Sequence, residues 1–427
     1  MQLFKGESSS VFKGMFVLLV GSGFARVLGI LCIPILTRIY TPEEYGVLAL
    51  YVSVVAVLSP VLSLRFSQAL PLPKSDAMAV NLLCLCFISI GITTILSLIM
   101  LSIVGNVVFK AFSMEVLESW WGLVVFGAFG VAFFELVTLW ATRKKQYRLI
   151  SKAQLTQSLI GNAAKIVLGL LSFNFLGLIL GHIMTQCSGV IGLIKLSYSD
   201  FKNNVSSISS YRIKFLSRYF REYVYFRLPS QFLMTLSVQA PVLMMAGLYG
   251  SEVTGQLSLA FMALTLPTTV LGNSISKAYY GEIASIGKND VRKIKRITIE
   301  VQKKLFIIAT PIALTIMLCS KFFFGFFFGK EWVMAGEFAA LLAPFILMQF
   351  TSSPLVQVIN ILSSQFLFLV INVLRIAGLI LIYYISRILN VDAYLLVVSI
   401  SVYLSLFYLL VTIMINILIN KLSTSEC

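Results

Sequence analysis

Four ionisable residues interrupt long apolar stretches of this sequence: Arg26, Glu135, Lys165 and Arg375. Each costs at least about 2.5–3.5 kcal/mol at the centre of a bilayer unless it meets water or a partner. Three of the four are cations, and none has a carboxylate one turn away on its own stretch. We expect Glu135 to pair with a cation across helices, with Lys165 on the next helix as its first partner. Surplus positive charge then remains, and for Arg26 and Arg375 we favour contact with a hydrated cavity.

Polar side chains recur at helical spacing on the same stretches. Asn372 lies one turn before Arg375, and Asn162 lies one turn before Lys165. Two longer stripes consist of Gln349, Ser353, Gln357, Asn360 and Ser364, and of Gln231, Thr235 and Gln239. Such stripes either hold helices together or line a cavity. With the surplus cations they predict a hydrated, positively charged lumen. The residues assigned to substrate binding are Arg26, Arg375, Lys165, Asn372, Asn360 and Gln357.

The sequence offers little for chemistry other than binding. It contains no GxxxxGK[ST] phosphate-binding loop, so we expect no ATP hydrolysis by this chain. Its one histidine, His182, has no acidic residue nearby, and five of its six cysteines lie in apolar stretches. Neither a cluster with metal-ligand spacing nor a nucleophile–base pair is apparent. We therefore predict a protein that is not an enzyme and that uses no cofactor and no metal.

The stretches that carry these residues are long enough to cross a membrane. Of the 427 residues, 59% are apolar and 12% are charged, against about 45–50% and about 25% in soluble domains. This composition excludes a soluble enzyme, a disordered chain and a secreted disulfide scaffold. Because about 20 apolar residues span the hydrocarbon core as a helix, we predict an all-α polytopic membrane protein with about twelve transmembrane helices. They lie at about 14–36, 45–64, 79–104, 117–141, 153–173, 175–196, 228–249, 255–276, 305–327, 336–361, 366–386 and 394–418. A single re-entrant element is the alternative for the pair around 361–366.

Lysine and arginine are concentrated on one side of the predicted membrane. If the amino terminus is on the inside, the inside segments hold 25 of them and the outside segments hold five. Positively charged loops stay in the cytoplasm, so we predict that both termini and the loops 142–152, 197–227 and 277–304 are cytoplasmic. The net charge of +16 then reflects topology and affinity for anionic lipid headgroups. It does not indicate nucleic-acid binding, because it is spread over many short loops.

An internal repeat divides the chain. The motif Tyr40-x-x-Glu43-x-x-Gly46 returns as Tyr249-x-x-Glu252-x-x-Gly255, 209 residues later, after the first and the seventh predicted helix. Parallel repeats of this kind are typical of transporters. We therefore predict two parallel six-helix lobes around a central cavity, formed by residues 1–196 and 228–427.

The segment between the lobes, residues 197–227, is basic and aromatic. Tyr211, Phe215, Tyr219 and Phe226 alternate there with arginine and lysine. This pattern predicts an amphipathic linker helix that lies at the membrane surface. A docking site for a partner is the less favoured interpretation.

Three segments near the amino terminus resemble a known family. Residues 22–29 read SGFARVLG, residues 34–46 read PILTRIYTPEEYG, and residues 64–74 read LRFSQALPLPK. Together they resemble the opening of bacterial polysaccharide-repeat flippases, the Wzx-type O-antigen and exopolysaccharide members of the multidrug/oligosaccharidyl-lipid/polysaccharide exporter superfamily. The motif match covers about residues 20–80. Family members often carry an acidic residue where Ser67 stands.

The resemblance implies a substrate and a location. The substrate would be an undecaprenyl-diphosphate-linked oligosaccharide, flipped by alternating access from the cytoplasmic to the periplasmic leaflet of the inner membrane for surface polysaccharide such as O-antigen. Arg26 falls where related flippases keep a lumenal arginine, so the resemblance implies contact with the diphosphate at that position. Implied partners are the lipid-linked glycan, membrane lipids, and polymerase and chain-length proteins of the same pathway.

Two other functions remain as alternatives. A drug/cation antiporter of the same superfamily would need an acidic residue in the lumen, and Glu135 is the one carboxylate well inside a predicted helix. A membrane-embedded glycan polymerase would need a large periplasmic loop with catalytic polar residues, whereas the outside loops predicted here are all short.

Overall fold

The computed structural model of the protein describes residues 8–73, 75–111, 115–267, 272–286, 290–356, 358 and 365–424. These residues include fifteen α-helices, and no β-strand occurs among them. The helices are α1 (Ser8–Ile39), α2 (Pro42–Leu62), α3 (Asp76–Ala111), α4 (Glu115–Glu118), α5 (Trp121–Arg143), α6 (Tyr147–Leu170), α7 (Asn174–Cys187), α8 (Val190–Asn203), α9 (Ser210–Tyr219), α10 (Leu228–Pro267), α11 (Asn273–Ile286), α12 (Val291–Phe327), α13 (Val333–Ser352), α14 (Gln365–Leu389) and α15 (Ala393–Thr424).

Ten segments of the described chain are long and apolar enough to cross a membrane. One of them, Tyr223–Thr265, covers two predicted stretches, because α10 continues past a break at Gly250. Helix α6 has 24 residues but is not among the ten, since Gln154, Asn162 and Lys165 lower its hydropathy. With α10 counted twice and α6 added, the segments account for all twelve predicted stretches. The prediction of an all-α polytopic membrane protein is confirmed.

Some helix boundaries differ from the predicted ones. Gly189, with φ of 71°, separates α7 from α8 inside the stretch predicted as 175–196, and Gly250, with φ of 80°, breaks α10. Helix α12 begins at Val291 and not at the predicted residue 305, and Asp290 Oδ1 caps its start by accepting from the Lys293 amide at 2.9 Å. Helix α14 begins at Gln365, which lies in the predicted junction around 361–366, and residues 361–364 of that junction lie outside the described residues.

Contacts between Cα atoms divide the chain into two compact units, unit 1 (residues 1–235) and unit 2 (residues 236–427). In unit 1, α1 packs on α6, α6 packs on α7, and α5 contacts α2, α3, α7 and α8 around the fully buried Trp140. In unit 2, α13 packs against α12 and α15, and α14 packs against α15; Trp332 and Phe338 are fully buried there. Helix α9, in the predicted linker, packs on α3 within unit 1.

The tyrosine of the internal repeat has a comparable role in each unit. In unit 1, the Tyr40 hydroxyl donates to the Lys165 carbonyl of α6 at 2.7 Å. In unit 2, the Tyr249 hydroxyl donates to the Val391 carbonyl, just after α14, at 2.6 Å. Each tyrosine thus links its own segment to the backbone of another segment of the same unit.

Ion pairs join three segments at one end of unit 1. Asp76, at the start of α3, pairs with Arg143 at 3.0 Å and with Lys144 at 3.1 Å, at the end of α5. Lys144 also pairs with Asp200 of α8 at 3.4 Å, and the Trp140 indole donates to Asp200 at 3.0 Å. The segments around these residues therefore lie together, as expected of loops on one side of a membrane.

The break at Gly189 provides a test of the fold. A Cβ atom at this position would lie 2.3 Å from the Ala153 carbonyl oxygen, and the left-handed conformation costs a non-glycine residue about 1–2 kcal/mol. We expect Gly189→Ala to lower the thermal unfolding midpoint of the detergent-solubilised protein. Gly91→Ala on α3, where a Cβ would meet no atom within 4 Å, should leave that midpoint unchanged or raise it. Equal midpoints for the two variants would contradict the break.

Candidate functional site

Helix α1 packs on α6 through small residues. A Cβ atom at Gly21 would lie 1.5 Å from the Ser151 hydroxyl, and the Ser158 hydroxyl donates to the Ala25 carbonyl at 2.7 Å. Small residues every four positions let two helix backbones approach closely. The motif that carries the family resemblance therefore includes a helix-packing face.

Arg26 lies beside this face and not within it. It follows Ala25 directly, so its side chain is turned about 100° round the helix from the packing face. Its side chain is exposed. On α6, Asn162 faces the same helix: its amide lies 3.8 Å from the position of a Cβ at Gly29 and donates to the Ser158 carbonyl at 2.8 Å. The packing of α1 thus fixes the position of Arg26 along unit 1, with its side chain on an exposed face of the helix.

Lys165 lies on α6, where it is half-buried. A Cβ atom at Gly181 of α7 would lie 2.4 Å from Lys165 Cγ, so the lysine stem fills the space beside that glycine. The residue is close to the end of α6 at Leu170. Within the described chain no carboxylate forms an ion pair with it, so the expected pair with Glu135 is wrong.

Glu135 pairs instead with Arg65, which precedes a 3-10 turn after α2. Arg65 Nη1 lies 3.2 Å from Glu135 Oε1, and the Gln68 amide donates to the same oxygen at 3.3 Å. Arg65 has φ of 58° and is 8% exposed. Beside it, the Ser67 hydroxyl is buried without a hydrogen-bond partner in the described structure. The count of lysine and arginine residues on each side of the membrane treated Arg65 as a loop residue. Nothing in the sequence near Arg65 indicates a contact with a residue 70 positions away.

In unit 2, Arg375 lies near the middle of α14 and is half-buried. Its guanidinium carbon is 5.6 Å from the centre of the Tyr408 ring on α15, a distance typical of a cation–π contact. Arg375 Nε is buried and has no acceptor in the part of the chain described. Asn372, one turn earlier, is 5% exposed.

Tyr408 connects Arg375 to the long polar stripe. Its hydroxyl accepts a hydrogen bond from the Gln349 amide of α13 at 3.3 Å, while Gln349 Oε1 is buried without a partner in the described structure. Three helices thus meet at a cluster formed by Arg375, Tyr408 and Gln349. Sequence reasoning missed Tyr408, because a tyrosine in an apolar helix has no signal that distinguishes it from a packed side chain. Gln357 and Asn360 lie outside the described residues, so their roles stay predictions.

The surroundings of Lys165 and Arg375 suit the binding of an anion. Neither Lys165 nor Arg375 forms an ion pair in the described chain, and Glu135, the carboxylate that the sequence places well inside a predicted helix, is already paired with Arg65. The described residues also contain no group of three His, Cys, Asp or Glu side chains that could hold a metal ion. Guanidinium and ammonium groups with aromatic and amide neighbours can hold phosphate and hydroxyl groups.

The sequence profile of a family described as "Polysaccharide biosynthesis protein" matches residues 35–337. No curated protein sequence matches the chain. Among solved structures, it is similar to "Lipid II flippase MurJ, inward closed conformation", with a TM-score of 0.71 and 14% identity over 96% of this chain and 90% of that one. It is similar to an inward-facing multidrug resistance MATE family transporter of the MOP superfamily, with a TM-score of 0.63 and 14% identity over 96% of each chain. A MOP superfamily transporter from Pyrococcus furiosus gives a TM-score of 0.60 and 15% identity over 99% of this chain and 98% of that one. The fold is therefore the one that these transporters share.

The Arg65–Glu135 pair predicts a large effect on stability. Glu135→Gln leaves Arg65 buried without its counter-charge, and breaking a buried pair in this way costs about 3–5 kcal/mol. We expect a smaller loss here, because the Glu135 side chain is 28% exposed, but still a clear fall in the thermal unfolding midpoint in detergent. The double variant Arg65→Gln/Glu135→Gln should recover part of the lost midpoint, because it leaves no unpaired charge at this position.

The control is an exposed pair. Lys304 and Glu300 on α12 lie 2.6 Å apart and are mostly exposed, and such pairs add little stability. Glu300→Gln should therefore leave the midpoint almost unchanged. If Glu135→Gln has no larger effect than Glu300→Gln, the pair does not stabilise unit 1.

Proposed function

We propose a function for this chain from one premise: it belongs to the family of polysaccharide biosynthesis proteins. It is a multi-pass membrane protein with the fold of the MOP transporters. The proposed function is to flip an undecaprenyl-diphosphate-linked oligosaccharide from the cytoplasmic to the periplasmic leaflet of the bacterial inner membrane, by alternating access. The product would enter synthesis of O-antigen or another surface polysaccharide.

The proposal rests mainly on the surroundings of the Arg375 side chain. A cation in the middle of a membrane helix is costly unless something compensates it. Arg375 has the Tyr408 ring on one side, no carboxylate in the described chain, and a buried Nε without an acceptor. An anionic substrate would supply the missing acceptor. A diphosphate suits this role, because a guanidinium binds phosphate oxygens through several donors.

The other assigned residues extend this reasoning. Arg26 is an exposed cation near the middle of α1, and we assign it, like Arg375, to contact with the diphosphate. Asn372, Asn360 and Gln357 are assigned to the sugar hydroxyl groups. Lys165 is the weakest of the three cations as a ligand, because a lysine near a helix end can extend its ammonium to the membrane surface.

The proposed topology places both termini and the basic loops in the cytoplasm. An inside-negative membrane potential then drives an anion outward, by about 2.3 kcal/mol per elementary charge per 100 mV. This contribution fits a chain whose sequence has no phosphate-binding loop for ATP.

A drug/cation antiporter is the second candidate, and the structure argues against it. Such a protein would use a carboxylate to hold the cation. Glu135 is the intramembrane carboxylate of the sequence, and it already accepts from Arg65 and Gln68. A membrane glycan polymerase has less support still, because the described loops include no large extramembrane domain.

The charge of Arg26 can be tested in a bacterial strain that carries the pathway and lacks its own copy of this protein. Arg26→Ala should abolish surface polysaccharide and cause the lipid-linked repeat unit to accumulate, since the diphosphate loses a ligand. Arg26→Lys should restore display in part, because an ammonium lacks the bidentate fork, and Arg26→Glu should be the most severe. Arg375→Ala should resemble Arg26→Ala. Membrane levels are checked by immunoblot.

Arg38 provides the matched control. It is exposed at the end of the same helix, and Arg38→Glu should retain display. Full display by Arg26→Glu at a normal protein level would remove Arg26 from the site. A failure to make the repeat unit at all, in place of its accumulation, would contradict the flippase function itself.

The role of the membrane potential can be tested in proteoliposomes with a fluorescent diphosphate-linked oligosaccharide lipid. An imposed inside-negative potential should speed its movement from the inner to the outer leaflet, and an inside-positive potential should slow it, because the moving group is anionic. Protein-free liposomes provide the background rate. If both signs give the same rate, the potential does not act on the substrate charge.

A further inference from the structure

A groove of about 390 Å³ lies at the end of unit 1 where α3 begins. One wall comes from the segment before α3 and from its first turn, and the other comes from α9. The lining residues are Leu72, Pro73, Ser75, Met78, Phe215, Leu216, Tyr219 and Phe220. The groove is mostly apolar, and its volume lies in the range of about 300–1,000 Å³ typical of small-molecule sites.

Specific contacts hold both walls in place. The fully buried Asn81 of α3 donates to the Ser207 carbonyl at 2.9 Å and accepts from the Ser209 amide at 2.9 Å, which fixes the chain just before α9. On the opposite wall, Arg143 donates to the Pro73 carbonyl and pairs with Asp76. The groove is therefore a feature of the fold and not a gap beside a loose segment.

Helix α9 has three different faces. Leu216 and Phe220 are buried, at 2% and 8% exposure, where α9 packs in unit 1. Phe215 and Tyr219 line the groove but remain 47% and 67% exposed, with stacked rings whose centres lie 5.9 Å apart. Leu72, across the groove, is 57% exposed. An open apolar groove at the end of a spanning helix is in reach of lipid chains.

The third face of α9 is basic. Lys214 and Arg218 lie about 40° apart on α9 at 100° per residue, beside the Phe215 face, and Arg221 follows two residues after the helix ends. Residues 210–221 contain no acidic side chain and Glu222 follows directly, but no ion pair in the described structure involves Lys214, Arg218 or Arg221. A negatively charged group would complement this face, while the groove beside it would accept an apolar chain.

We propose that the groove binds one acyl chain of an anionic phospholipid, whose phosphate lies against Lys214, Arg218 and Arg221. The arrangement matches both parts of such a lipid, a hydrocarbon chain and a charged headgroup at the membrane surface. A resident phospholipid fits better than the tail of a transported lipid, because the walls of the groove are fixed at one end of unit 1. The inference does not depend on the proposed function.

The test uses tryptophan fluorescence and phospholipids with brominated acyl chains, which quench a nearby indole. Phe215→Trp places the probe in the groove. Tyr211→Trp is the matched control, because Tyr211 lies one turn earlier on α9, is 80% exposed and does not line the groove. Each variant is reconstituted in phosphatidylcholine with a minor fraction of brominated phosphatidylglycerol or brominated phosphatidylcholine. The signal of the unsubstituted protein, with its four native tryptophans, is subtracted.

We expect phosphatidylglycerol to be favoured over phosphatidylcholine by at least about five-fold at position 215, the factor that one basic residue supplies at an anionic surface. Position 211 should show little preference. Replacing Lys214, Arg218 and Arg221 by glutamine should remove the preference at position 215. Equal preference at both positions would mean diffuse adsorption only and would overturn the proposal. Relief of the quenching by undecaprenyl phosphate, but not by unbrominated phosphatidylglycerol, would also overturn it, because the groove would then hold a prenyl chain.

Discussion

A charged side chain in the hydrocarbon core must meet water, an opposite charge or another polarisable group, and this chain resolves that constraint in three ways. Arg65 and Glu135 neutralise each other, with Gln68 as a further donor to the carboxylate. Lys165 lies close to a helix end, with its stem beside Gly181. Arg375 lies against the face of Tyr408 and retains a buried donor without an acceptor. The first arrangement is complete within the described protein, whereas Lys165 and Arg375 have no counter-charge there, and an anionic ligand would supply one.

Hydrogen bonds to backbone carbonyl groups and close packing of small residues connect the helices within each unit. The repeat tyrosines also use backbone acceptors: Tyr40 donates to the Lys165 carbonyl of α6, and Tyr249 donates to the Val391 carbonyl just after α14. Small residues such as Gly21, Ala25 and Gly29 allow α1 to approach α6 so closely that Ser158 can bond to a carbonyl of α1. Because Arg26 is adjacent to this contact face, the packing of α1 on α6 sets its position along the unit and the direction in which its side chain leaves the helix.

The proposed substrate and the proposed lipid site use the same chemistry in different settings. In both, cations face an anionic phosphate and a hydrocarbon chain stays in an apolar environment. In unit 2, Arg375 contributes a fixed planar fork in the middle of α14. At the end of unit 1, Lys214, Arg218 and Arg221 form a basic face at the surface, where the charges remain hydrated. The first setting favours selective recognition, whereas the second favours retention of a lipid at one membrane face.

The amino-acid sequence by itself determined the fold class, the helix-length stretches and the repeat. Hydropathy is a property of about 20 consecutive residues, so these features need no tertiary information. Tertiary structure alone decided the partner of Glu135, because Arg65 is 70 positions away and reaches it from a left-handed turn. It also decided the contact between Arg375 and Tyr408, and the break at Gly189, which depends on the approach of Ala153. Each of these depends on which helices touch, and in a membrane the apolar faces of different helices are too alike for sequence to specify their neighbours.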